Sequence, residues 1–406
     1  MQQRAHRFAS LDGLRIVGAL MVVTTHVGYA GGSAVTGPYA GLLARMDAGV
    51  ALFFVVSGFL LYRPHARVLL DRADERERAR IHDTRTYARH RFARIAPAAW
   101  VAVLASALLL PHTDDITPWH YVQIASMVQI YVPHPSVAGL TQMWSLSTEV
   151  AFYVLLPVFA WLLARVGRRA GGAVGARRVL VLLAATPLVS IAWILLTHGA
   201  LEGVTNLWLP GFLGWFGGGA ALALWHEGRL AGVFGHTWID ELVDSPGTLW
   251  SLAAALYLLL STRVSGPFGL TPATEFESVV KNVGYTLFAV LAVLPCVHAT
   301  ESRSRIVAAL GSHPARELGA ISYGVFCYHL IVLRIAELSI DHEPFSGRTG
   351  LLWILTVAGT LPLAWVSHRY LEAPLMRRAR RGDGRIVSAG VDTRTVAQAQ
   401  ASSTAA

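Results

Sequence analysis

The sequence predicts an all-α fold: a polytopic membrane bundle of about ten transmembrane helices with both termini in the cytoplasm. Three observations carry that expectation. Of the 406 residues, 54% are hydrophobic and only 15% are charged, and the mean hydropathy is +0.47. Soluble chains carry about 25% charged residues, so the composition excludes a disordered protein and speaks against an ordinary soluble enzyme. A hydrocarbon core of about 30 Å takes roughly 20 apolar residues of helix. Ten such runs fall near 11–30, 46–63, 93–111, 143–164, 179–198, 206–225, 247–262, 281–298, 318–336 and 350–370. The third observation is where the cations stand. Thirty-three of the 34 basic residues are arginine and one is Lys281. With both termini inside, 27 of them fall on inner segments and four, Arg45, Arg263, Lys281 and Arg348, on outer loops. That asymmetry is the positive-inside bias. It also accounts for a pI near 9.9 without nucleic acid, since the arginines alternate with apolar runs rather than forming one soluble patch.

Each element has its own justification. The run 11–30 carries Asp12, Arg15 and His26 and has no A-x-A exit, so it reads as a retained span rather than a cleaved signal. Residues 71–94 are charge-dense and predict a cytoplasmic amphipathic helix leading into the third span. The connection 112–142 has no Lys or Arg, as an outer loop should. Inside it, 117–132 is apolar but interrupted by His120, Gln123 and Gln129, which predicts an interfacial or re-entrant helix. Gly217, Gly218 and Gly219 predict close helix packing in the sixth span. The seventh, 247–262, is the shortest. Residues 377–406 open with Arg377, Arg378, Arg380 and Arg381 and turn to Ala, Ser, Thr and Gln. They predict a basic stop and a disordered tail, which leaves 1–376 as one membrane domain. The two cysteines, Cys296 and Cys327, sit in apolar runs and imply no disulfide framework. The sixteen histidines show no metal-ligand spacing, so no metal is expected.

Ionisable groups inside spans are costly and face a protein interior or a water-filled cavity. Arg15 and His26 are eleven residues apart, three turns plus about 20° of helix, so they share a face about 16 Å apart along the axis. A cation near the inner end and a titratable base toward the outer half therefore line one helix. Glu149 enters the fourth span at about the depth of His26, where it is a natural partner for an imidazole general base. Arg91 and Arg94, at i and i+3, form a double cation suited to phosphates. Packing and lipid-anchoring roles compete with each of these readings. Ser57-Gly58 allows close backbone approach but lacks the glycines of a nucleophile elbow. His329 is a second intramembrane histidine.

Taken together, these motifs resemble the integral-membrane acyltransferase 3 family, which includes bacterial O-acyltransferases of surface glycans, glycolipids and macrolides. The resemblance runs from about residue 8 to 376. It rests on Leu11-Asp12-Gly13-Leu14-Arg15 with His26, on Phe53-Phe54-Val55-Val56-Ser57-Gly58-Phe59, and on Arg91-x-x-Arg94-Ile95-x-Pro97. Trp144-Ser145-Leu146-Ser147-x-Glu149-x-x-Phe152-Tyr153, Ser322-Tyr323-Gly324 with His329, and Tyr370-Leu371-Glu372-x-Pro374 complete it. It implies ten core helices and an acyl-CoA co-substrate, acetyl-CoA first, on the cytoplasmic side of the plasma membrane, with no bound cofactor. It implies a catalytic His26, and acyl-CoA binding by Arg91 and Arg94.

The motifs also set Ser57, Tyr323, His329 and Glu372 in supporting places. Many relatives add an extracellular hydrolase-like domain where this chain has its 30-residue tail, so a second transfer step is expected to fall to another protein. The expected reaction moves an acyl group to a hydroxyl of a cell-envelope glycan, glycolipid or small-molecule acceptor. Arg15, Arg91 and Arg94 hold the nucleotide end. His26, oriented by Glu149, either deprotonates the acceptor or takes the acyl group itself. The rival reading is a transporter or exporter of a glycan or lipid precursor, which also suits ten spans and buried charges. No paired half-sequences or matching broken helices support it.

Overall fold

The computed structural model describes residues 8–381 except 134, 200–204, 236–237, 270 and 299–303. Among the described residues every regular element is helical. The principal helices are α1 (Ala9–Ala30), α2 (Gly49–Leu69), α3 (Glu75–His82), α4 (Thr84–Leu109), α5 (Pro118–Ala125), α6 (Trp144–Ala170), α7 (Gly172–Ala184) and α8 (Thr186–Thr197). They continue with α9 (Leu209–Leu230), α10 (Pro246–Leu260), α11 (Glu275–His298), α12 (His313–Ser339), α13 (Thr349–Ser367) and α14 (Ala373–Arg381).

Nine helical stretches among the described residues are long and apolar enough to cross a membrane. In that count α7 and α8 form one stretch, and α13 and α14 another. The seventh expected span is the departure. Helix α10 has 15 residues, about 22 Å at 1.5 Å per residue, which is short for a core of about 30 Å. Connectivity still requires it. Phe8 and Arg380 line one cavity, so both described ends of the chain meet at one end of the bundle, labelled inner for its arginines. Helix α9 runs inward from Gly211, at the outer cavity, to Glu227 beside Arg63. Helix α11 leaves the outer end at Lys281 and reaches Cys296, whose carbonyl accepts from Ser10 Oγ at 3.1 Å. Between them α10 returns the chain outward.

Its outer end is clamped by Arg45. That guanidinium is buried and donates to Leu260 O at 3.2 Å, Ser265 Oγ at 2.7 Å and Gly266 O at 2.6 Å. At the inner end buried Glu227 takes Arg63 Nε at 2.6 Å and an Arg72 guanidinium nitrogen at 2.5 Å. Each buried charge thus has the hydrogen-bonding partners that burial demands.

Glycine sets the tightest crossings. A Cβ on Gly58 would collide with the Phe216 carbonyl, and one on Gly219 with the Val55 carbonyl, so α2 and α9 touch backbone to backbone. Gly217 packs against the Thr186 side chain, in line with the packing expected of the glycine run. Phe54 then stacks on Phe216 with ring centroids 4.3 Å apart, and Phe216 on Phe152 at 4.1 Å. On the periphery, Val154 and Val158 of α6 and Leu188, Leu195 and Leu196 of α8 are exposed apolar side chains, as a lipid-facing surface needs.

The charge-dense segment is two helices rather than one. Asp74 caps α3 by accepting from the Glu77 amide at 2.7 Å, and Asp83 caps α4 by accepting from the Thr86 amide at 3.0 Å. An N-cap carboxylate starts a new helix wherever it finds amides to satisfy, and that breaks the segment at Asp83. Hydrogen bonds from the Thr86 hydroxyl and amide hold the Asp83 carboxyl below its ordinary value. The apolar part of 117–132 becomes α5 and a single 3-10 turn, Gln129–Tyr131. At the chain's other end helix continues to Arg381, past residue 376. The remainder of the expected tail lies outside the described residues.

Candidate active site: two cavities that meet at Val50

The inner cavity has a volume of about 420 Å³. Helix α1 contributes Asp12 and Arg15, α2 contributes Ser57 and Arg63, α4 contributes Arg91 and Arg94, and α14 contributes Arg380. Glu149 and Tyr153 of α6 and Tyr323 of α12 complete the polar wall. Five arginines face two carboxylates, so the cavity carries excess positive charge. Arg63 is paired with Glu227. Arg91 lies over the rings of Tyr87 and Tyr153 at 5.8 and 5.6 Å, and its buried Nε has no hydrogen-bond partner among the described residues. Guanidinium groups with unsatisfied donors in an enclosed site are suited to phosphate oxygens.

Glu149 belongs to this cavity. Its Oε1 accepts from Ser57 Oγ at 2.5 Å and from Tyr153 OH at 2.6 Å. Tyr153 is one helical turn from Glu149, the spacing at which side chains on one helix meet. Tyr323 donates to the Ile95 carbonyl at 2.7 Å and ties α12 to α4.

The outer cavity is larger, about 690 Å³, and contains His26. Nδ1 of His26 lies 2.9 Å from the Val22 carbonyl and 3.1 Å from Nε2 of His329. Nδ1 of His329 lies 2.8 Å from the Phe326 carbonyl. Those contacts fix both tautomers. A carbonyl only accepts, so His329 Nδ1 carries a hydrogen and His329 Nε2 is the bare nitrogen. His26 Nδ1 must then donate, which leaves His26 Nε2 as its basic nitrogen.

The expected pairing of Glu149 with His26 is therefore corrected. The two residues line different cavities, and His26 Nδ1 meets the Val22 carbonyl and His329 Nε2 instead. The expectation failed because similar depth in two spans does not fix which way each helix faces.

Asp47 also lines the outer cavity. It accepts from Lys281 Nζ at 2.6 Å and from the Tyr285 hydroxyl. Trp144, Trp193 and Trp215 supply aromatic wall. None of these residues, nor Tyr153 or Arg380, was singled out from sequence as part of the site. Lys281 had a signal in being the chain's one lysine, and Tyr153 had one in its i+4 spacing from Glu149.

One residue, Val50, lines both cavities. Around it stand Phe53, Phe54 and Phe326 on the inner side and Trp144 and Phe212 on the outer side. Phe54 and Trp144 meet across this wall at 6.5 Å, and Phe53 and Phe326 meet on its inner side at 6.1 Å. Arg15 and His26 thus line two cavities whose walls share Val50. Glu372 stands apart from both. It is buried in a π turn, His368–Glu372, and accepts from Ser367 Oγ at 3.0 Å, while Tyr328 OH donates to Ser367 Oγ at 2.7 Å. That chain anchors α13 to α12. No group of three or more metal-ligating side chains occurs among the described residues.

Residues 8–369 match the family model described as an acyltransferase domain. The chain is 24% identical over 397 residues to the peptidoglycan O-acetyltransferase OatA of Listeria monocytogenes, across 91% of this chain and 56% of that protein. It is 31% identical over 178 residues to the acyltransferase MdmB of Streptomyces mycarofaciens, across 41% of this chain and 42% of that one. To nodulation protein 10 of Rhizobium leguminosarum bv. viciae it is 24% identical over 397 residues, 91% and 93% of the two chains. The chain thus spans about half the length of the first two relatives. No solved structure matches it. The chain belongs to the acyltransferase-domain family, and it is a multi-pass membrane protein.

Proposed function

We propose that this protein is a membrane-bound O-acyltransferase of the cytoplasmic membrane, moving an acetyl group from acetyl-CoA to a hydroxyl of a cell-envelope glycan, glycolipid or similar acceptor. The carrying observation is the pair of chambers that abut at Val50, one rich in arginine and one containing the His26–His329 dyad. The inner chamber opens on the cytoplasm, by the arginine distribution along the chain. Its arginines suit the phosphates of CoA, with Arg15, Arg91 and Arg94 as the donor-binding set. Glu149, held by Ser57 and Tyr153, keeps that charge partly balanced.

The pantetheine arm spans the roughly 16 Å between Arg15 and His26 by passing the apolar wall at Val50. His26 Nε2 then takes the proton of the acceptor hydroxyl as its oxygen attacks the thioester carbonyl. The new C–O bond forms, the C–S bond breaks, and the departing CoA thiolate receives the proton from the imidazolium. The Val22 carbonyl and His329 Nε2 together hold the hydrogen on His26 Nδ1, which leaves Nε2 basic. General-base assistance of this kind contributes about 10²–10⁴-fold, and alignment of the thioester with the hydroxyl in a dry site supplies much of the remainder.

The test is purified protein given acetyl-labelled acetyl-CoA and an envelope-glycan extract. An acyltransferase releases CoA and labels the extract. Intact donor after prolonged incubation with folded protein contradicts the proposal.

A further inference from the structure

The inner chamber is lined by five arginines, and the donor-binding set uses three of them. Arg63 is committed to Glu227 at 2.6 Å. The fifth, Arg380, lines the chamber from α14 and makes no hydrogen bond or ion pair with the described residues. It is also the most open of the five. Arg380 is exposed, whereas Arg15, Arg63, Arg91 and Arg94 are half-buried. That difference puts Arg380 at the mouth of the chamber and the others deeper in.

Helix α14 turns one face inward. Met376, Ala379 and Arg380 all line the chamber, and positions i, i+3 and i+4 share one side of a helix. Arg377, Arg378 and Arg381 fall on the other side, as positive-inside anchors do. The basic run thus divides into three arginines that face away and one that faces in. The π turn His368–Glu372 precedes α14, and the extra residue of such a turn rotates the helix after it by about 100°. Buried Glu372 holds that turn by accepting from Ser367 Oγ at 3.0 Å. Helix α14 packs on α4, the helix of Arg91 and Arg94. The match to the family model ends at residue 369, so Arg380 lies beyond the matched region.

A CoA thioester in this chamber lies in a fixed order. The pantetheine arm leads toward Val50, the pyrophosphate follows, and the ribose 3′-phosphate comes last, nearest the mouth. We propose that Arg380 binds the 3′-phosphate of CoA and selects CoA over donors that lack that group. The proposal rests on the acyltransferase reading above and adds a specificity residue to its donor site. Arg15, Arg91 and Arg94 remain for the pyrophosphate. A terminal phosphate presents oxygens that a guanidinium fork meets in pairs, and Arg380 has both arms of its fork free for them.

The experiment measures dissociation constants by titration calorimetry on the purified full chain in nanodiscs, with acetyl-CoA and with acetyl-3′-dephospho-CoA. Wild type binds acetyl-CoA about tenfold more tightly. Arg380→Ala raises the constant for acetyl-CoA about tenfold, the low end for a hydrogen bond between charged groups because the site is open to solvent. The constant for the dephospho donor stays within about twofold. Arg380→Lys keeps the charge without the fork and loses less; it serves if Arg380→Ala does not give monodisperse protein. Arg377→Ala, on the other face, changes neither constant. The titrations run in phosphatidylcholine and in phosphatidylglycerol, and the loss is the same in both. A loss confined to phosphatidylglycerol assigns Arg380 to lipid phosphate and overturns the proposal. So do equal binding of the two donors by wild type and an equal loss for both donors in the Arg380 variants. Folded wild type that binds neither donor overturns the underlying donor reading.

Discussion

Nδ1 of His26 stands 3.1 Å from Nε2 of His329, which is 303 residues further along the chain. The contact joins α1 to α12, and under the proposed function the second histidine acts as a positioning residue, comparable in role to the acid of a catalytic triad. His329→Leu leaves the His26 Nδ1 hydrogen the Val22 carbonyl alone as acceptor. Expected is a fall in kcat of about 10²-fold or more, with donor and acceptor KM within a few-fold of wild type. His329→Gln offers an amide oxygen in the same place and recovers part of the rate. Identical losses in the two variants, measured by CoA release, would show that the histidine only fills space.

Glu149 separates two mechanisms. It bonds to Ser57 and Tyr153 in the arginine chamber, and under the proposed function that place assigns it to donor binding. Glu149→Gln keeps an oxygen for those donors and removes one negative charge near Arg15. The effect falls on donor KM, by a few-fold, with kcat less changed. A kcat loss of about 10²-fold at unchanged donor KM would return Glu149 to His26 as its orienting partner.

Arg91 and Arg94 act on the same quantity. Hydrogen bonds to charged groups contribute about 1.5–3 kcal/mol each, so Arg91→Ala or Arg94→Ala raises the dissociation constant for acetyl-CoA by roughly 10–150-fold. The loss is larger for acetyl-CoA than for acetyl-pantetheine, which lacks the nucleotide phosphates. Equal losses for both donors, in titration calorimetry, would place the arginines away from the phosphates.

Much of this arrangement was legible in the sequence, because a bilayer constrains a chain strongly. Apolar run lengths gave the long helices, and an even number of crossings is consistent with Phe8 and Arg380 lining one cavity. The i, i+11 spacing placed Arg15 and His26 on one face of α1, and they do line two chambers that meet. What sequence did not give was contact between helices. Nothing in one chain states that His26 meets His329 rather than Glu149, because that depends on the rotation of α6 and α12 about their axes. Glycine fixes such rotations only through partners such as Phe216 O and Val55 O, which lie far away in sequence.

Glu227 tests the packing of the inner end. It is fully buried and joins Arg63 and Arg72. Removing one member of a buried charge cluster leaves the others uncompensated, at about 3–5 kcal/mol. Glu227→Ala is expected to lower the yield of monodisperse protein and its thermal midpoint. An unchanged midpoint would mean that Arg63 and Arg72 reach water or lipid phosphate without it.

The most direct measurement is single-turnover CoA release from acetyl-CoA already bound to purified His26→Ala, with an envelope-glycan extract as acceptor. Chemistry at His26, with the donor held separately by the arginines, requires donor affinity within about twofold of wild type and a release rate lower by roughly 10²–10⁴-fold. Release at the wild-type rate would remove His26 from the reaction, and lost donor affinity would mean that the two chambers do not divide the work between them.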